Sequence, residues 1–202
     1  MDATDANPPH LKSERLELTL PLPQAAPRLL AYVQENRAHH APFNPPSPAG
    51  YYTLDHWRAR LSHNRQEWRE GRSVRFVIFH RGQLKGPVVG VANLTQIARG
   101  PFQGCTLGYS LDRQAVGQGY MQEALRAVLD YAFGPFGLHR VMANYLPTNV
   151  RSGNVLRRLG FSVEGYARDY LYIDGAWRDH VLTALTNPNP APPSGSPPEA
   201  RA

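Results

Sequence analysis

The stretch Leu111-Asp112-Arg113-Gln114-Ala115-Val116-Gly117-Gln118-Gly119-Tyr120 decides how the rest of the chain is read. An apolar run from Cys105 to Leu111 leads into it, and an amphipathic run from about Gly119 to Phe133 leads out, so here a strand becomes a helix. Gly117 and Gly119 leave the backbone N–H groups of the turn bare of side chains. Such N–H groups at a helix N-terminus attract anions, and a missing Cβ lets a phosphate approach closely. Two familiar phosphate loops do not fit. No Lys-Ser or Lys-Thr follows, as the Gly-x-x-x-x-Gly-Lys-Ser/Thr loop requires, and Gly117-Gln118-Gly119 has no third glycine to make a dinucleotide fingerprint. Gln114-x-x-Gly117-x-Gly119 remains, either a phosphate cradle or a glycine-rich turn with no ligand.

Working outward, the helix carries Met121, Leu125, Val128, Leu129 and Ala132 on one face and stops at Gly134-Pro135. Leu138 to Tyr145 then suits a strand parallel to Cys105–Leu111, reached by a right-handed helical crossover. Asn149 is placed to cap a short helix through the N–H of Ser152, with Val155, Leu156 and Leu159 on its buried face. Gly160 stands at the left-handed position after that helix, and Phe161 can fold back on Leu156. Ser162–Ile173 and Ala176–Leu185 read as strands joined at Asp174-Gly175.

Upstream, Glu14–Leu20 alternates Leu16, Leu18 and Leu20 with polar residues and reads as a half-buried strand. A helix is expected from about Gln24 to Arg37, and a second from an N-cap at Thr53 to about Glu70. Between them Ala38–Gly50, rich in proline, is expected to be irregular and to carry His39, His40 and Phe43. Val74–Phe79, Val88–Leu94 and Cys105–Leu111 form an expected antiparallel meander. Residues 1–12 are expected to be a disordered lead-in, residues 13–186 one domain, and residues 187–202 a flexible Pro/Ser-rich tail.

The 202 residues are enough for one sizeable core. No apolar run reaches bilayer length, and the polar, acidic start does not resemble a secretory signal. A single cysteine, Cys105, excludes an internal disulfide and a cysteine-based zinc site and suits a cytoplasmic setting. The net charge of +6 favours anionic partners without choosing among nucleic acid, ribosome and phosphorylated cofactor.

The order of elements, together with Gln114-x-x-Gly117-x-Gly119, Asn149-x-x-Ser152 and Gly160-Phe161-Ser162-Val163-Glu164-Gly165, resembles the GNAT acyl-CoA N-acyltransferase family. The similarity runs over about residues 14 to 186 and extends to the ribosomal-protein N-acetyltransferase branch, RimJ type, most specifically in Trp177-Arg178-Asp179-His180-Val181-Leu182-Thr183-Ala184-Leu185. The resemblance implies an α/β fold with a mixed, mostly antiparallel sheet flanked by helices, whose splayed parallel pair holds acetyl-CoA. It implies a primary amine as acceptor, for this branch the N-terminal alanine of a small-subunit ribosomal protein. Ribosome association is compatible with it; membrane or sequence-specific DNA binding is not expected, and the chain is either a monomer or a homodimer.

Acyl transfer from a thioester to an amine needs a held donor, a neutral amine, hydrogen-bond donors for the oxyanion and a stabilised leaving thiolate. By the resemblance, Glu164 is the candidate base; otherwise it is a surface glutamate paired with an arginine such as Arg168. Ser152 is the candidate group beside the thioester sulfur, or an ordinary first-turn serine. The expected cofactor contacts are the backbone of Ala115, Val116, Gly117, Gln118, Gly119 and Tyr120, with Gln114 opening the motif, the edge of Leu111, and Asn149 and Ser152. Tyr109, Tyr145, Tyr166, Tyr170 and Tyr172 rank second as acids, Glu123 and Cys105 read as structural, and no metal set is expected around His39 and His40. Arg113, Arg151, Arg157 and Arg158 can face phosphate, RNA or solvent. Three functions stay open: N-terminal acetylation of a protein, acetylation of a small amine, and acyl-CoA binding without catalysis.

Overall fold

Eight strands form one sheet in the order β1-β2-β3-β4-β5-β6-β8-β7 in the computed structural model, which describes residues 7–190. The strands are β1 (Leu11–Lys12), β2 (Leu16–Thr19), β3 (Val74–His80), β4 (Gly90–Ala98), β5 (Gly104–Leu111), β6 (Arg140–Met142), β7 (Ser162–Ile173) and β8 (Ala176–Thr186). The helices are α1 (Ala26–Glu35), α2 (Arg37–His40), α3 (Leu54–Arg69), α4 (Tyr120–Phe133) and α5 (Val150–Arg158). Only β5 and β6 run parallel; the other neighbours are antiparallel.

Side-chain alternation divides the core between the two faces. On one face Phe76, Ile78, Ala92, Leu94, Cys105, Leu107, Val141 and Ala143 pack with Met121, Leu125, Val128 and Leu129 of α4 and Leu156 of α5. On the other, Val77, Phe79 and Val88 pack with Leu29 and Val33 of α1 and Leu61 of α3. The local signals form as expected. Thr53 caps α3 by accepting the N–H of His56. Asn149 caps α5 by accepting the N–H of Ser152. After α5, Phe161 N–H donates to Leu156 O and Gly160 N–H to Arg157 O, the paired bonds that end a helix in a left-handed residue.

Four expectations need correction. Leu11 and Lys12 do not belong to an unstructured lead-in: they pair with Leu18 and Glu17, and His10 hydrogen-bonds Glu17. Ala38–His40 lie in α2, since prolines begin only at Pro42 and leave one helical turn free to form. The fourth strand begins at Gly90 and runs through a bulge to Ala98. β6 is far shorter than Leu138–Tyr145, because after Met142 the chain follows β8 and abandons β5: Ala143 N–H donates to Thr183 O, and Tyr145 pairs with Val181. At the C-terminal end Asn187 is tied by its N–H to His139 O. The rest of the expected tail, from residue 191, and residues 1–6 of the expected lead-in lie outside the described residues.

Candidate active site

β5 and β6 pair only from Gly104 to Thr106 and from Arg140 to Met142. Beyond that point they part around a cavity of about 680 Å³, walled by Leu107–Leu111, the glycine turn, Asn144–Leu146 and the start of α5. The parting exposes one edge of β5. Asp112 N–H donates to Val89 O on the β4 side, so by alternation Ser110 and Gly108 also point to β4, while Tyr109 and Leu111 point their backbone groups into the gap. The Leu111 carbonyl is taken there by His40 Nε2–H at 2.8 Å. Its N–H, and the Tyr109 backbone, stay open to the cavity.

The turn is drawn taut at its start. Asp112 accepts the N–H of Gln114 through its side chain and the N–H of Ala115 through its carbonyl, so neither is open to a ligand, and Ala115 is buried in the core. The expected set of donors is therefore narrowed. From Val116 to Gln122 no backbone N–H has an acceptor among the described residues. Gly117 and Gly119 hold φ of +84° and +79°, and a Cβ built on Gly117 would meet nothing within 4 Å. The left-handed conformation, not crowding, selects glycine here. Val116, Gly117, Gly119 and Tyr120 line the cavity, whereas Gln114, Ala115 and Gln118 do not. Gln118 instead donates to Gln114 O, and Arg15 grips Gln118 O and the carboxylate of Glu123. Glu123 thus ties β2 to α4, in line with a structural role.

On the α4–α5 face, Ser152 and Tyr109 meet with their hydroxyl oxygens 2.7 Å apart. Burial pushes the Tyr109 phenol up to about 12, against the lowering effect of its bond to Ser152. Asn149 lines the cavity too; its Oδ1 serves the cap and its Nδ2 makes no hydrogen bond among the described residues. Tyr145 lies against α5 only because residue 153 is glycine, where a Cβ would fall 2.8 Å from its ring.

The opposite face has a different wall. Tyr32, Asn36 and His40 are spaced by four residues along α1 and α2 and grasp the end of β5 in succession. Tyr32 bonds Ser110, His40 bonds Leu111, and Asn36 bonds Asp112 while accepting the N–H of Arg113. Asn36 is wholly buried with both ends of its amide satisfied. Burial, with His39 alongside, holds the His40 ring below the ordinary histidine value. His180 of β8 also lines the cavity and is only 4% exposed. Its Nδ1 lies 3.0 Å from Arg178 O, which can only accept.

Glu164 is not part of this assembly. Val163 pairs with Thr183 and Gly165 with Leu182, so Glu164 is the unpaired residue of a bulge. Its carboxylate binds the guanidinium of Arg140, at the closed end of the parallel pair, and it does not line the cavity. The expected base is therefore displaced, and the arginine partner is Arg140 instead of Arg168. Tyr166 is likewise engaged elsewhere, donating to Asp179. Arg151 and Arg158 line the cavity; Arg157 turns to Asn154. Sequence reading missed His180, whose position on β8 is fixed only by the register with Tyr145, and Asn36, which looks like any helix-end polar residue.

The profile of the acetyltransferase (GNAT) domain family matches residues 15–162. The chain belongs to the GNAT acetyltransferases. This GNAT chain is 43% identical over 182 residues to the [ribosomal protein uS5]-alanine N-acetyltransferase of Escherichia coli, covering 90% of the chain and 93% of that protein. The ribosomal-protein-S5-alanine acetyltransferase of Vibrio fischeri superposes with a TM-score of 0.86 at 34% identity, over 91% of this chain and all of that one. Mycobacterium smegmatis RimJ in complex with CoA-disulfide gives 0.80 at 28% identity, over 91% and 88%. The acetyl donor of this GNAT enzyme is acetyl-CoA. Its residues fit that molecule: an unpaired run of N–H groups for the pyrophosphate, an open strand edge for the amide-bearing arm, and a hydroxyl pair at the inner end.

Proposed function

We propose that this acetyltransferase modifies the α-amine of a ribosomal protein's N-terminal residue, with alanine as the preferred terminus. What carries the reading is a second groove that adjoins the cleft on the α1–α2 side. His40 and Asn44 line both the cavity and this groove of about 800 Å³, which is walled further by Pro45, Pro46, Tyr51, Tyr52 and the hairpin tip Asp174-Gly175. A groove beside the cleft offers an extended chain end a surface to lie along, whereas a free amino acid or polyamine needs only a closed pocket. The similarity to the Escherichia coli enzyme over nine-tenths of the chain supports the same acceptor class. Such an acceptor places the enzyme in the cytoplasm, in contact with ribosomal particles or their free proteins.

Acetyl-CoA supplies the acetyl group activated as a thioester. The free N–H groups of Val116, Gly117 and Gly119 to Gln122 would hold its pyrophosphate, helped by the positive end of α4. Asn149 Nδ2 and the β5 edge orient the arm. The N–H of Tyr109 or Leu111 receives the developing oxyanion. Tyr109 and Ser152 stabilise the leaving sulfur. A thiol ordinarily titrates near ~8.5, well below a phenol raised to about 12, so this pair donates a hydrogen bond without surrendering its proton. The final proton on sulfur comes from solvent.

The test is thiol release from acetyl-CoA with peptides beginning in Ala, Ser or Met, and with spermidine and free amino acids in parallel. Turnover on the Ala peptide at least tenfold above the small amines is expected. Turnover on small amines alone would move the acceptor to that class; tight CoA binding without turnover on any acceptor, ribosomal subunits included, would leave a binding module.

A further inference from the structure

We propose that His180 is the general base that deprotonates the attacking amine, acting through Nε2. The inference rests on the acetyl-transfer reading above and deepens it. Val141 and Ala143 face α4 and α5, and the Tyr145 ring touches Gly153 of α5. Thr183 and Val181, their partners on β8, share that face, so alternation turns Asn144, Leu182 and His180 to the opposite face, that of α1 and α2. His180 therefore approaches the cleft from the side where the second groove lies, and Tyr109–Ser152 from the other. Base and sulfur-binding hydroxyls stand on opposite sides of the sheet, so an amine can add to one face of the thioester carbonyl without displacing the groups that hold the sulfur.

The tautomer is fixed by a backbone carbonyl. Arg178 O accepts from Nδ1–H, so Nε2 carries the lone pair, and Nε2 makes no hydrogen bond among the described residues. His40 is arranged the other way round: Nε2–H is spent on Leu111 O, and its ring serves as a strut between α2 and β5. The groups around His180 are Tyr170 of β7, whose ring is 5.2 Å away, and Asp179 beside it on β8. Across the cavity stand His39 and His40 from α2, Tyr109 from β5, Tyr145, and Arg151 and Arg158 from α5. Among the described residues no carboxylate lines the cavity to take the role instead.

In the step, the ammonium first loses one proton to solvent. The neutral amine then adds to the thioester carbonyl carbon; as the N–C bond forms, nitrogen becomes cationic and passes its second proton to Nε2. The C–S bond breaks, the thiolate leaves hydrogen-bonded to Tyr109 and Ser152 and takes a proton from solvent, and the imidazolium returns its own to solvent. One proton is released per turnover.

His180→Gln and His180→Ala are compared with wild type for kcat and KM on whichever amine wild type accepts, from pH 5.5 to 9.5, with CoA affinity measured by calorimetry. Long-range nitrogen–proton NMR on histidine-labelled, ligand-free enzyme reads the tautomer directly. We expect kcat to fall by about 10²- to 10⁴-fold at neutral pH, the enzyme's own part of the acidic limb to disappear and leave only the titration of the acceptor amine, CoA affinity to hold within twofold, imidazole to rescue His180→Ala, and Nδ1 to carry the proton. Wild-type rates and profile in His180→Gln, an Nε2-protonated ring, or loss of the acidic limb in His40→Gln instead would overturn the proposal. Wild type that acetylates no amine would refute acetyl transfer itself; the tautomer measurement would still report separately on His180.

Discussion

On the α4–α5 side of β5 the cleft is walled by backbone N–H groups and two hydroxyls; on the α1–α2 side it is walled by imidazoles and carboxamides. The first wall is built from groups that change protonation little near neutral pH: unpaired N–H donors from Val116 onward and a phenol raised to about 12. It suits a donor whose charge and shape are the same in every turnover. The second wall carries the imidazoles of His39, His40 and His180. It suits an acceptor that must be deprotonated. The difference teaches that the sheet separates the two tasks, and that β5 works as a partition with one function on each surface.

That separation can be broken in order of severity. Gly119→Val forces a β-branched residue into a left-handed turn and covers the N–H run; acetyl-CoA should bind roughly a hundredfold more weakly by calorimetry, with the acceptor wall unchanged. Tyr109→Phe removes a hydrogen-bond donor to the sulfur while keeping the ring. We expect kcat to drop about a hundredfold with KM for acetyl-CoA nearly constant; a fall confined to KM would place Tyr109 outside the chemistry.

Asn36→Ala attacks the joint between the walls. It strips the N–H of Arg113 of its acceptor and Asp112 of a buried donor, a loss of about 1–3 kcal/mol. A melting temperature lower by roughly 5 °C, with weaker binding of both substrates, is the expected outcome; weakening of one substrate alone would show that the walls are not coupled through Asn36.

Acid tests the tie beneath the donor turn. Burial alone would raise the carboxyl of Glu123, but the Arg15 N–H, the Ser13 hydroxyl and the Arg15 guanidinium outweigh it and hold the group below the ordinary glutamate value. A depressed carboxyl gives its full stabilisation above the unfolded-chain value of ~4.3 and loses it as pH falls through the folded value. Glu123→Gln should be less stable than wild type in urea at pH 7, with the gap closing below about pH 4. The smallest effect is reserved for Glu164→Gln. Its exposed pair with Arg140 lies away from the cleft, so stability should move by less than about 1 kcal/mol and kcat by less than about twofold. A large loss of kcat, recovered at high pH, would restore Glu164 as the base.

Most of the frame was legible because its causes are local. Leu16 and Leu18 alternate within one strand, Thr53 and Asn149 cap their own helices, and Gly160-Phe161 closes α5 within a few residues. The glycine turn was legible for the same reason. Residues whose meaning depends on distant partners were not. Glu164 follows a family-like motif, yet a bulge in β7 and the reach of Arg140 decide where its carboxylate goes. His180 sits in the most distinctive stretch of the chain, but its facing depends on the pairing of Val181 with Tyr145 across the splay. The truncation of β6 has no local cause at all: an apolar run continues while its neighbour turns away.

Cys105, the chain's one cysteine, is fully buried beside Val141 in the paired half of the parallel strands, and burial pushes its thiol up to about 12. An enzyme whose product is itself a thiol therefore keeps no competing thiol of its own within reach. Disulfide-exchange dyes added to the folded protein count only the CoA it has released, and an oxidant that converts that CoA to a disulfide finds nothing on the catalyst to couple it to.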